Sequence, residues 1–320
     1  RPPRSTLFPY TTLFRSAAAI YWGIRRRFWI IIPLITIAAN WQYLGRIFQP
    51  PFTAGGKEAN TLKIATYNVD SFGNEQSGYS CKEIAAYMKE HRVDIICFQE
   101  FAGNRYFTPD SIRNAFADWQ YAVIPQAPDS TPILQVALFS KYPVKDSRLI
   151  TYPDSRNCSM WCDLDVNGQT VRVFNNHLQT TEVSQNKRRL ERELAKNELT
   201  GREEAVARQL LEGLNENFRK RAAQAKTLEQ LIRTTPYPIL VCGDFNSLPS
   251  SYTYSTVKGD NLQDGFQTCG HGYMYTFRYF KRLLRIDYIF HSKEFKGVDY
   301  YSPDLNLCSD HNPVVMEVKM

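Results

Sequence analysis

The chain has few cysteines, and none of them stands in a metal-binding or redox motif. Its seven cysteines, among 320 residues, include no CxxC pair, which excludes a zinc ribbon and a thioredoxin-type site. Cys97 and Cys242 stand inside apolar runs, where a thiol behaves as a small buried hydrophobic group. The sequence also lacks repeats of solenoid period and low-complexity tracts. We therefore expect a globular domain whose fold does not depend on disulfides.

A strong excess of one charge sign is lacking as well. Lys and Arg number 39 against 32 Asp and Glu, and the net charge is +7. Because the basic residues are interleaved with acids, this balance weakly favours anionic partners and is no nucleic-acid signature. Hydrophobic residues make up 43% and aromatic residues 13% of the chain, enough for a substantial core.

The N-terminal region carries a long apolar run. Phe28 to Gly45 contains no charged residue, and a membrane-spanning helix needs about 20 mostly apolar residues. Trp29 and Trp41 fit the aromatic belts of the two membrane interfaces. We therefore predict a membrane anchor in residues 17–49 with a span at about 28–45. A signal peptide and a buried helix are the alternatives.

Three arginines precede this run, Arg25–Arg27. By the positive-inside rule they remain in the cytoplasm, so the rest of the chain is predicted on the extracytoplasmic (periplasmic or extracellular) side. The chain begins with Arg1 and has an odd local repeat, so residues 1–16 are interpreted as a non-native extension. A Pro/Gly-rich stretch at residues 50–60 predicts a linker, which leaves residues 61–320 as one domain.

This domain alternates short apolar strands with a few helices, which predicts an α/β fold. Residues 182–233 interrupt the alternation with apolar residues at helical spacing, and Gly201 and Gly213 suggest two or three helical pieces. The basic runs Lys187–Arg189 and Arg219–Arg221 lie among glutamates. That mixture is typical of solvated helix faces, so we expect both runs to face water.

Polar residues stand where the predicted strands end. The central example is the apolar run Tyr237–Val241, after which Asp244 and Asn246 share one face of an extended chain. Alternation likewise places Asn175 and His177 on one face of another strand. A turn or a strand-end ion pair explains each residue singly. The whole set of such ends contains Asn68, Glu100, His177, Asp244, Asn246, Asp287, Asp310 and His311.

These residue types suit metal-assisted hydrolysis of a phosphoester. Mg²⁺ prefers oxygen ligands, which Glu100 and Asp310 offer. The reaction also needs an activated water and donors for the growing negative charge. Asp244 or the Asp287–His311 pair offers the base, and the donors are Asn68, Asn246 and His177.

Six short motifs, in their order along the chain, resemble those of the endonuclease/exonuclease/phosphatase superfamily. This superfamily includes deoxyribonuclease I, apurinic endonucleases, neutral sphingomyelinases and inositol polyphosphate 5-phosphatases. Within it, the chain resembles a membrane-anchored bacterial type. The motifs are Thr66–Val69, Phe98–Glu100, Asn175–Leu178, Gly243–Asn246, Arg285–Ile289 and Ser309–Pro313.

The resemblance covers about Leu62 to Met320 and implies a four-layer α/β sandwich, two packed β-sheets flanked by helices. It implies Glu100 as the chief ligand of Mg²⁺ or Mn²⁺, assisted by Asn68 and Asp310.

The resemblance also implies catalytic roles. Asp244 would orient or deprotonate water and Asn246 would hold a phosphate oxygen. His311, oriented by Asp287, would contact the scissile phosphate, and His177 would stabilise the transition state from the opposite side.

The resemblance leaves the substrate open. The leading expectation is a nuclease-like phosphodiesterase that meets the membrane through its N-terminal helix and needs no obligate protein partner. The alternatives are a sphingomyelinase-like phospholipid phosphodiesterase, which would read a lipid headgroup, and a catalytically inactive binding module. The aromatic and basic stretch Tyr273–Arg285 leads into the strand of Asp287 and is expected to form a rim of the site, unless its aromatic residues face the core.

Overall fold

The computed structural model describes residues 8–25, 28–51, 60–127, 132–181 and 203–320. Its α-helices are α1 (Phe8–Ile24), α2 (Ile31–Ala39), α3 (Trp41–Leu44), α4 (Tyr79–Glu90), α5 (Pro109–Ala115), α6 (Glu203–Arg233), α7 (Tyr252–Lys258) and α8 (Gly265–Cys269). Its strands are β1 (Phe48–Gln49), β2 (Thr61–Asn68), β3 (Ile95–Gln99), β4 (Tyr121–Val123), β5 (Ala137–Ser140), β6 (Val144–Thr151), β7 (Cys158–Val166), β8 (Gln169–His177), β9 (Ile239–Asp244), β10 (Leu262–Asp264), β11 (Gly272–Tyr273), β12 (Asp287–Ser292), β13 (Lys296–Tyr301) and β14 (Val314–Lys319).

Two six-stranded sheets form the centre of the domain. The first has the order β13-β14-β2-β3-β5-β4, and the second has the order β10-β12-β9-β8-β7-β6. Within them β2 runs parallel to β3 and β8 runs parallel to β9, whereas the other pairs are antiparallel. The two parallel pairs lie at the centres of their sheets, where strands are buried on both faces.

Three hydrophobic clusters show how the layers pack. One lies between the sheets and includes Ile64, Cys97 and Leu240. A second joins the outer face of the first sheet to α4 and α5, through residues such as Ile84 and Ile112. A third joins the outer face of the second sheet to α6 and α7. The predicted arrangement of two packed sheets between helices is confirmed.

Side-chain alternation assigns each strand residue to one of these clusters. In β2, Leu62 and Ile64 face the other sheet, whereas Ala65 and Tyr67 face the helices. In β9, Leu240 and Cys242 face the other sheet. The period of two therefore turns Asn68 and Asp244, at the ends of these strands, toward the space between the sheets.

The predicted alternation of short apolar strands with helices is found, but β6 does not follow from it. Lys145, Asp146, Ser147 and Arg148 in this strand are all exposed. The strand lies at the edge of its sheet and pairs only with β7 among the described strands. Such a strand carries no apolar run, so its sequence resembles a loop.

The helical region is described from residue 203 onward, where α6 runs unbroken for 31 residues. The expected break at Gly213 is therefore wrong, because one glycine costs a helix only about 1 kcal/mol and the packing of the helix outweighs it. Residues 182–202, including Gly201 and the first basic run, lie outside the described residues. In the second run Arg221 is completely buried, which corrects the expectation that this whole run faces water.

The predicted membrane-spanning helix at residues 28–45 is wrong. Its apolar stretch is divided into a short 3₁₀ turn, the nine-residue α2 and the single turn of α3. Asn40 has φ −110° and ends α2, while its side chain donates to the Thr36 carbonyl at 2.7 Å. Nine residues rise only about 14 Å, half the thickness of a bilayer core.

Across the described ranges, no helix combines the length and the apolar character that spanning a membrane requires. The expected extracytoplasmic location stays a prediction. So does the non-native extension at residues 1–16, of which the first seven lie outside the described ranges while α1 runs across its predicted end.

Residues 46–49, which the sequence assigns to the anchor region, contact the domain. Arg46 donates to the Pro249 carbonyl at 2.9 Å, and its guanidinium lies 5.0 Å from the ring centre of Tyr254. Strand β1 pairs with β11, whose Tyr273 is the first residue of the predicted rim of the site. Residues 52–59 of the predicted linker lie outside the described residues.

Gly243 occupies a position in β9 that only glycine fits. Its φ is +133°, and a Cβ there would stand 1.9 Å from the Asn176 carbonyl oxygen. Gly243→Ala should therefore lower the free energy of unfolding by at least about 2 kcal/mol, from backbone strain and overpacking together. Urea denaturation measures this loss.

Gly168→Ala is the matched control for this prediction. Gly168 also has positive φ, +89°, but nothing lies within 4 Å of a Cβ there. This variant should show only the conformational cost, about 1 kcal/mol. Equal losses in both variants would contradict the close approach of β8 and β9 at Gly243.

Candidate active site

Strand register brings the predicted residues to one edge of the space between the sheets. In the second sheet Asp244 stands opposite Asp287 on one side and His177 on the other. In the first sheet Asn68 stands opposite Gln99, and Glu100 follows immediately. The two sets of strand ends face each other across the packed sheets.

Asn68 connects the two sheets at this edge. Its Nδ2 lies 3.1 Å from Glu100 Oε1 and 3.1 Å from Asp244 Oδ2. Its Oδ1 accepts a hydrogen bond from the Asp70 amide at 3.2 Å. In this orientation Asn68 donates to both carboxylates, and the opposite orientation of the amide would present an oxygen to the same point.

His177 faces the same two carboxylates. Its Nε2 lies 3.6 Å from Glu100 Oε1 and 3.8 Å from Asp244 Oδ2. The side chain is buried, yet neither ring nitrogen has a hydrogen-bond partner among the described residues. Buried polar atoms are nearly always paired, so this imidazole is placed to bind a group that enters the site.

Asn246 holds the Asp244 carboxylate in place. The Asn246 backbone amide donates to Asp244 Oδ1 at 2.8 Å and its Nδ2 donates to Oδ2 at 3.1 Å. The turn requires φ +47° at Asn246, a conformation that asparagine tolerates better than most residues. Burial raises the pKa of Asp244 to about 6, while His311 and His177 act to lower it.

His311 and Asp287 form a buried pair beside Asp244. His311 Nδ1 lies 2.9 Å from Asp287 Oδ2, and Nε2 lies 3.6 Å from Asp244 Oδ2. Burial acts to lower the pKa of His311, but Asp287 and Asp244 together raise it to about 10. The imidazole therefore carries a positive charge at neutral pH.

Asp310 stands on the open side of the site. Its side chain is 35% exposed, and Oδ1 lies 3.8 Å from His311 Nε2. The structure thus brings Asn68, Glu100, His177, Asp244, Asn246, Asp287, Asp310 and His311, the eight residues predicted from sequence, to one edge of the two sheets. Their predicted division into ligands and catalytic groups stays a prediction.

The model of the endonuclease/exonuclease/phosphatase family matches residues 65–311, more than three quarters of the chain. The chain belongs to this family. All eight site residues lie within the matched range, and the resemblance of the six motifs is confirmed at the level of the family. No protein with a curated description matches the sequence.

Solved structures share the family fold at low sequence identity. An endonuclease/exonuclease/phosphatase from Bacteroides vulgatus is 18% identical with a TM-score of 0.58, and the match covers 82% of this chain and 99% of that one. A TDP2 from D. rerio, complexed with single-strand DNA product, is 14% identical with a TM-score of 0.57, over 81% and 99%. A mannosyl-6-phosphatase from Bacteroides thetaiotaomicron is 17% identical with a TM-score of 0.54, over 81% and 100%.

Phosphoric ester hydrolases occur in this family, and its members commonly use divalent metal ions. The site here fits such an ion, because oxygens of Glu100 and Asp244 each lie 3.1 Å from the same amide group of Asn68, whose opposite orientation would add a third oxygen. Carboxylate and amide oxygens are the ligands that Mg²⁺ prefers. Asp244, Asp287 and His311 also lie close enough to share an ion, although in this structure Asp287 pairs with His311 Nδ1 at 2.9 Å.

Sequence reasoning missed the groups that hold the site from behind. The Thr276 hydroxyl accepts from the Asp287 amide at 3.1 Å and thereby fixes the start of β12. The Ser309 hydroxyl donates to the Asn68 carbonyl at 2.6 Å and accepts from the His311 amide at 3.0 Å. Thr276 adjoins no motif and gave no signal, whereas Ser309 stands inside the last motif and was quoted there without a role.

A second missed feature is a polar bridge between the two sheets. Gln99 Nε2 donates to Asn175 Oδ1 at 2.6 Å and to Thr66 Oγ1 at 2.9 Å. Asn175 Nδ2 in turn donates to the Phe98 and Ala137 carbonyls, both at 2.9 Å. The alternation that places Asn175 beside His177 was the available signal, but it does not show which of the two residues reaches the opposite sheet.

The predicted rim Tyr273–Arg285 contains fewer free cations than expected. Arg285 is buried and pairs with Asp264 at 2.7 Å. Asp287 therefore forms no strand-end ion pair with Arg285 and pairs with His311. Arg278 donates to the Leu307 and Ser309 carbonyls at 3.2 and 3.1 Å, so it supports the loop that carries Asp310 and His311. These two arginines therefore serve the fold rather than a passing substrate.

The raised pKa of His311 has a consequence for stability in the metal-free protein. A folded-state pKa near 10 against an ordinary 6.5 stabilises the fold fully below pH 6.5, and this contribution is lost as the pH rises through 10. In EDTA we compare the unfolding free energy of wild type minus that of His311→Gln at two pH values. This difference should be larger near pH 6.5 than at pH 10.5, by on the order of 2 kcal/mol. Urea denaturation at several pH values measures both proteins.

Tyrosines and lysines titrate in the same range, but they are common to both proteins and cancel in the difference. A difference between wild type and His311→Gln that stays constant from pH 6.5 to 10.5 would contradict the charge assigned to His311.

Proposed function

We propose that the protein is a metal-dependent phosphodiesterase of the nuclease-like type. The observation that carries this proposal is the convergence of Glu100, Asp244 and the two histidines on one buried edge, with nitrogen–oxygen distances of 3.6 to 3.8 Å. A site of this kind contains carboxylates, a protonated imidazole and an unpaired imidazole. These are the groups that hydrolysis of a phosphoester requires.

Glu100, Asn68 and Asp310 would hold the metal ion. Glu100 is 28% exposed at its side chain and Asp310 is 35% exposed, so solvent and substrate reach the oxygens that would bind the ion. A bound Mg²⁺ or Mn²⁺ supplies charge neutralisation at a phosphate oxygen.

Asp244 is suited to accept a proton from the attacking water. Its raised pKa, about 6, leaves it ionised at neutral pH yet more basic than an ordinary carboxylate, which is the range that favours general bases. The two hydrogen bonds from Asn246 fix its orientation. Asn246 Nδ2 also donates to the Leu178 carbonyl at 3.1 Å, so contact with a phosphate oxygen would require one of these bonds to open.

The histidines would stabilise negative charge from two sides. His311 Nδ1 is engaged by Asp287, which leaves the Nε2–H of the imidazolium directed toward the substrate side. His177 offers a second imidazole, whose ring nitrogens have no hydrogen-bond partner among the described residues. Each preorganised donor of this kind contributes about 10²–10³ in rate.

An aromatic path leads from His311 to the surface and favours a substrate with planar groups. The Phe277 ring lies 5.0 Å from the His311 ring and 5.6 Å from the Tyr279 ring. Tyr279 and Phe280 are 49% and 43% exposed, and Lys281 beside them is exposed. Exposed rings next to a cation suit stacked bases on an anionic backbone, so we infer a nucleic-acid substrate; phospholipid headgroups are the alternative.

The central prediction is metal dependence. Purified protein should hydrolyse bis-p-nitrophenyl phosphate and a single-stranded oligonucleotide with Mg²⁺ or Mn²⁺, and excess EDTA should abolish turnover. Glu100→Gln should lower kcat by about 10²-fold or more, because it removes a charged metal ligand. Glu90→Gln, at the exposed end of α4, is the control and should retain full activity.

Sphingomyelin and p-nitrophenyl phosphate are tested as two further substrates, a phospholipid and a phosphomonoester. Preference for sphingomyelin would move the assignment to lipid hydrolysis, and preference for the monoester would make the protein a phosphatase. Full activity in excess EDTA would overturn metal dependence, and no turnover of any substrate would favour an inactive binding module.

The rim predicts substrate-dependent effects. Tyr279→Ser combined with Lys281→Ser should raise KM for the oligonucleotide about tenfold or more, from the loss of one stacking contact and one phosphate contact. The slope of log KM against log salt should fall by about 1. KM and kcat for bis-p-nitrophenyl phosphate should change little, since the metal ligands are untouched.

The matched control combines Tyr121→Ser on β4 with Lys293→Ser, at the opposite end of β12 from Asp287. Both residues are exposed, and this variant should leave all constants unchanged. Equal loss on both substrates in the rim variant would show that the rim serves the fold and does not bind substrate.

A further inference from the structure

Arg221 is a fully buried cation that the site residues described above do not include. It lies in α6 and is 0% exposed, whereas its neighbour Arg219 is exposed and Lys220 pairs with Glu216 at 2.9 Å on the surface of the helix. One arginine of the basic run therefore points into the domain.

The buried guanidinium joins the chain segments that follow two catalytic strands. Arg221 Nη1 donates to the Gln179 carbonyl at 2.8 Å and also to the Asn246 carbonyl. Gln179 comes two residues after His177, at the end of β8. Asn246 comes two residues after Asp244, at the end of β9. One nitrogen atom thus bonds to both turns, the one that follows His177 and the one that follows Asp244.

Neighbouring residues of α6 reinforce the same turn. Gln224 Oε1 accepts from the Gln179 amide at 2.8 Å, and Asn217 Oδ1 accepts from Gln179 Nε2 at 3.2 Å. Asn217, Arg221 and Gln224 are spaced four and three residues apart, so they share one face of the helix. All three are buried. The helix therefore presents a polar face to the back of the site.

This arrangement is costly for stability alone. Nε and Nη2 of Arg221 are buried without hydrogen-bond partners among the described residues. Burial lowers the pKa of Arg221 to about 10, although the charge of Asp244 acts to raise it. Its guanidinium contacts the Phe218 ring at 5.0 Å. Buried charges without a paired carboxylate cost several kcal/mol relative to apolar side chains of similar size. A role in the geometry of the site accounts for a cation at this position.

We propose that Arg221 is a positioning residue for phosphoester hydrolysis: it sets the relative placement of His177 and Asp244 by tying the backbone turns behind them. This inference rests on the proposed function. Misplacement of catalytic groups by about 1 Å costs about 10² in rate, and the tie between the Gln179 and Asn246 carbonyls controls displacements of this size.

The test compares Arg221→Met with Arg221→Lys in the full chain. The Met variant keeps the length of the side chain and removes its donors, so kcat for bis-p-nitrophenyl phosphate with Mg²⁺ should fall about 10–100-fold. KM should change by less than about threefold, because the exposed metal ligands and the rim are untouched. The Lys ammonium can donate to both carbonyls, so Arg221→Lys should recover most of the kcat.

Two controls separate positioning from loss of stability. Leu228→Ala removes a buried core side chain of the same helix and should cost about 2–5 kcal/mol, yet it should leave kcat unchanged at temperatures where it remains folded. Arg219→Met removes an exposed arginine of the same run and should change neither stability nor kcat. Circular dichroism melting curves define the temperature of the assays.

A second measurement does not depend on activity. Amide hydrogen exchange of the peptides that cover residues 178–180 and 245–247 should be faster in Arg221→Met than in wild type and in Leu228→Ala. Unchanged kcat and exchange in Arg221→Met would overturn the proposal, as would an equal kcat loss in Leu228→Ala. If wild type hydrolyses none of the substrates, the proposed function fails, and the exchange pattern alone still decides whether Arg221 holds the two turns.

Discussion

The arrangement depends on the burial of two carboxylates beside one imidazolium. Asp244 and Asp287 are each 1% exposed, so both carboxylates lack the hydration that would stabilise their charge on the surface. His311 lies between them, 2.9 Å from Asp287 and 3.6 Å from Asp244. The pair of acids raises the pKa of the imidazole, and the imidazole limits the rise in the pKa of Asp244. Each charge is tolerated because the others are present.

The two sheets supply the rigid frame that this charge cluster needs. The faces that meet between the sheets are apolar through most of their length and become polar at one edge, where Gln99 donates to Asn175 across the interface and to Thr66 within its own sheet. Hydrogen bonds between buried side chains have demanding geometry. The polar bridge therefore fixes how the strand ends of one sheet approach those of the other.

Behind the strand ends, a second set of contacts comes from outside the sheets. Arg221 and its neighbours on α6 hold the turns after β8 and β9, while Thr276 and Ser309 hold the segments that carry Asp287 and His311. Arg278 holds the loop around residues 304–310. Helix α6 thus packs directly against the site. Fold similarity at 14–18% identity does not specify the substrate, which depends on rim residues such as Tyr279 and Phe280.

The six motifs implied the two packed sheets through their resemblance to the family. The sequence by itself determined the α/β class, the central strands and the eight polar residues at their ends. Those features follow from local patterns: apolar runs with period two, and short polar motifs directly after them. The edge strand β6 and the helix through Gly213 were beyond that reasoning, because exposure and tertiary packing decided them. The membrane span was mispredicted because composition alone does not show that Asn40 ends the helix. Only the tertiary structure decided that Arg221 is buried against the turns after β8 and β9 and that Arg285 pairs with Asp264, since each contact joins segments far apart in the chain.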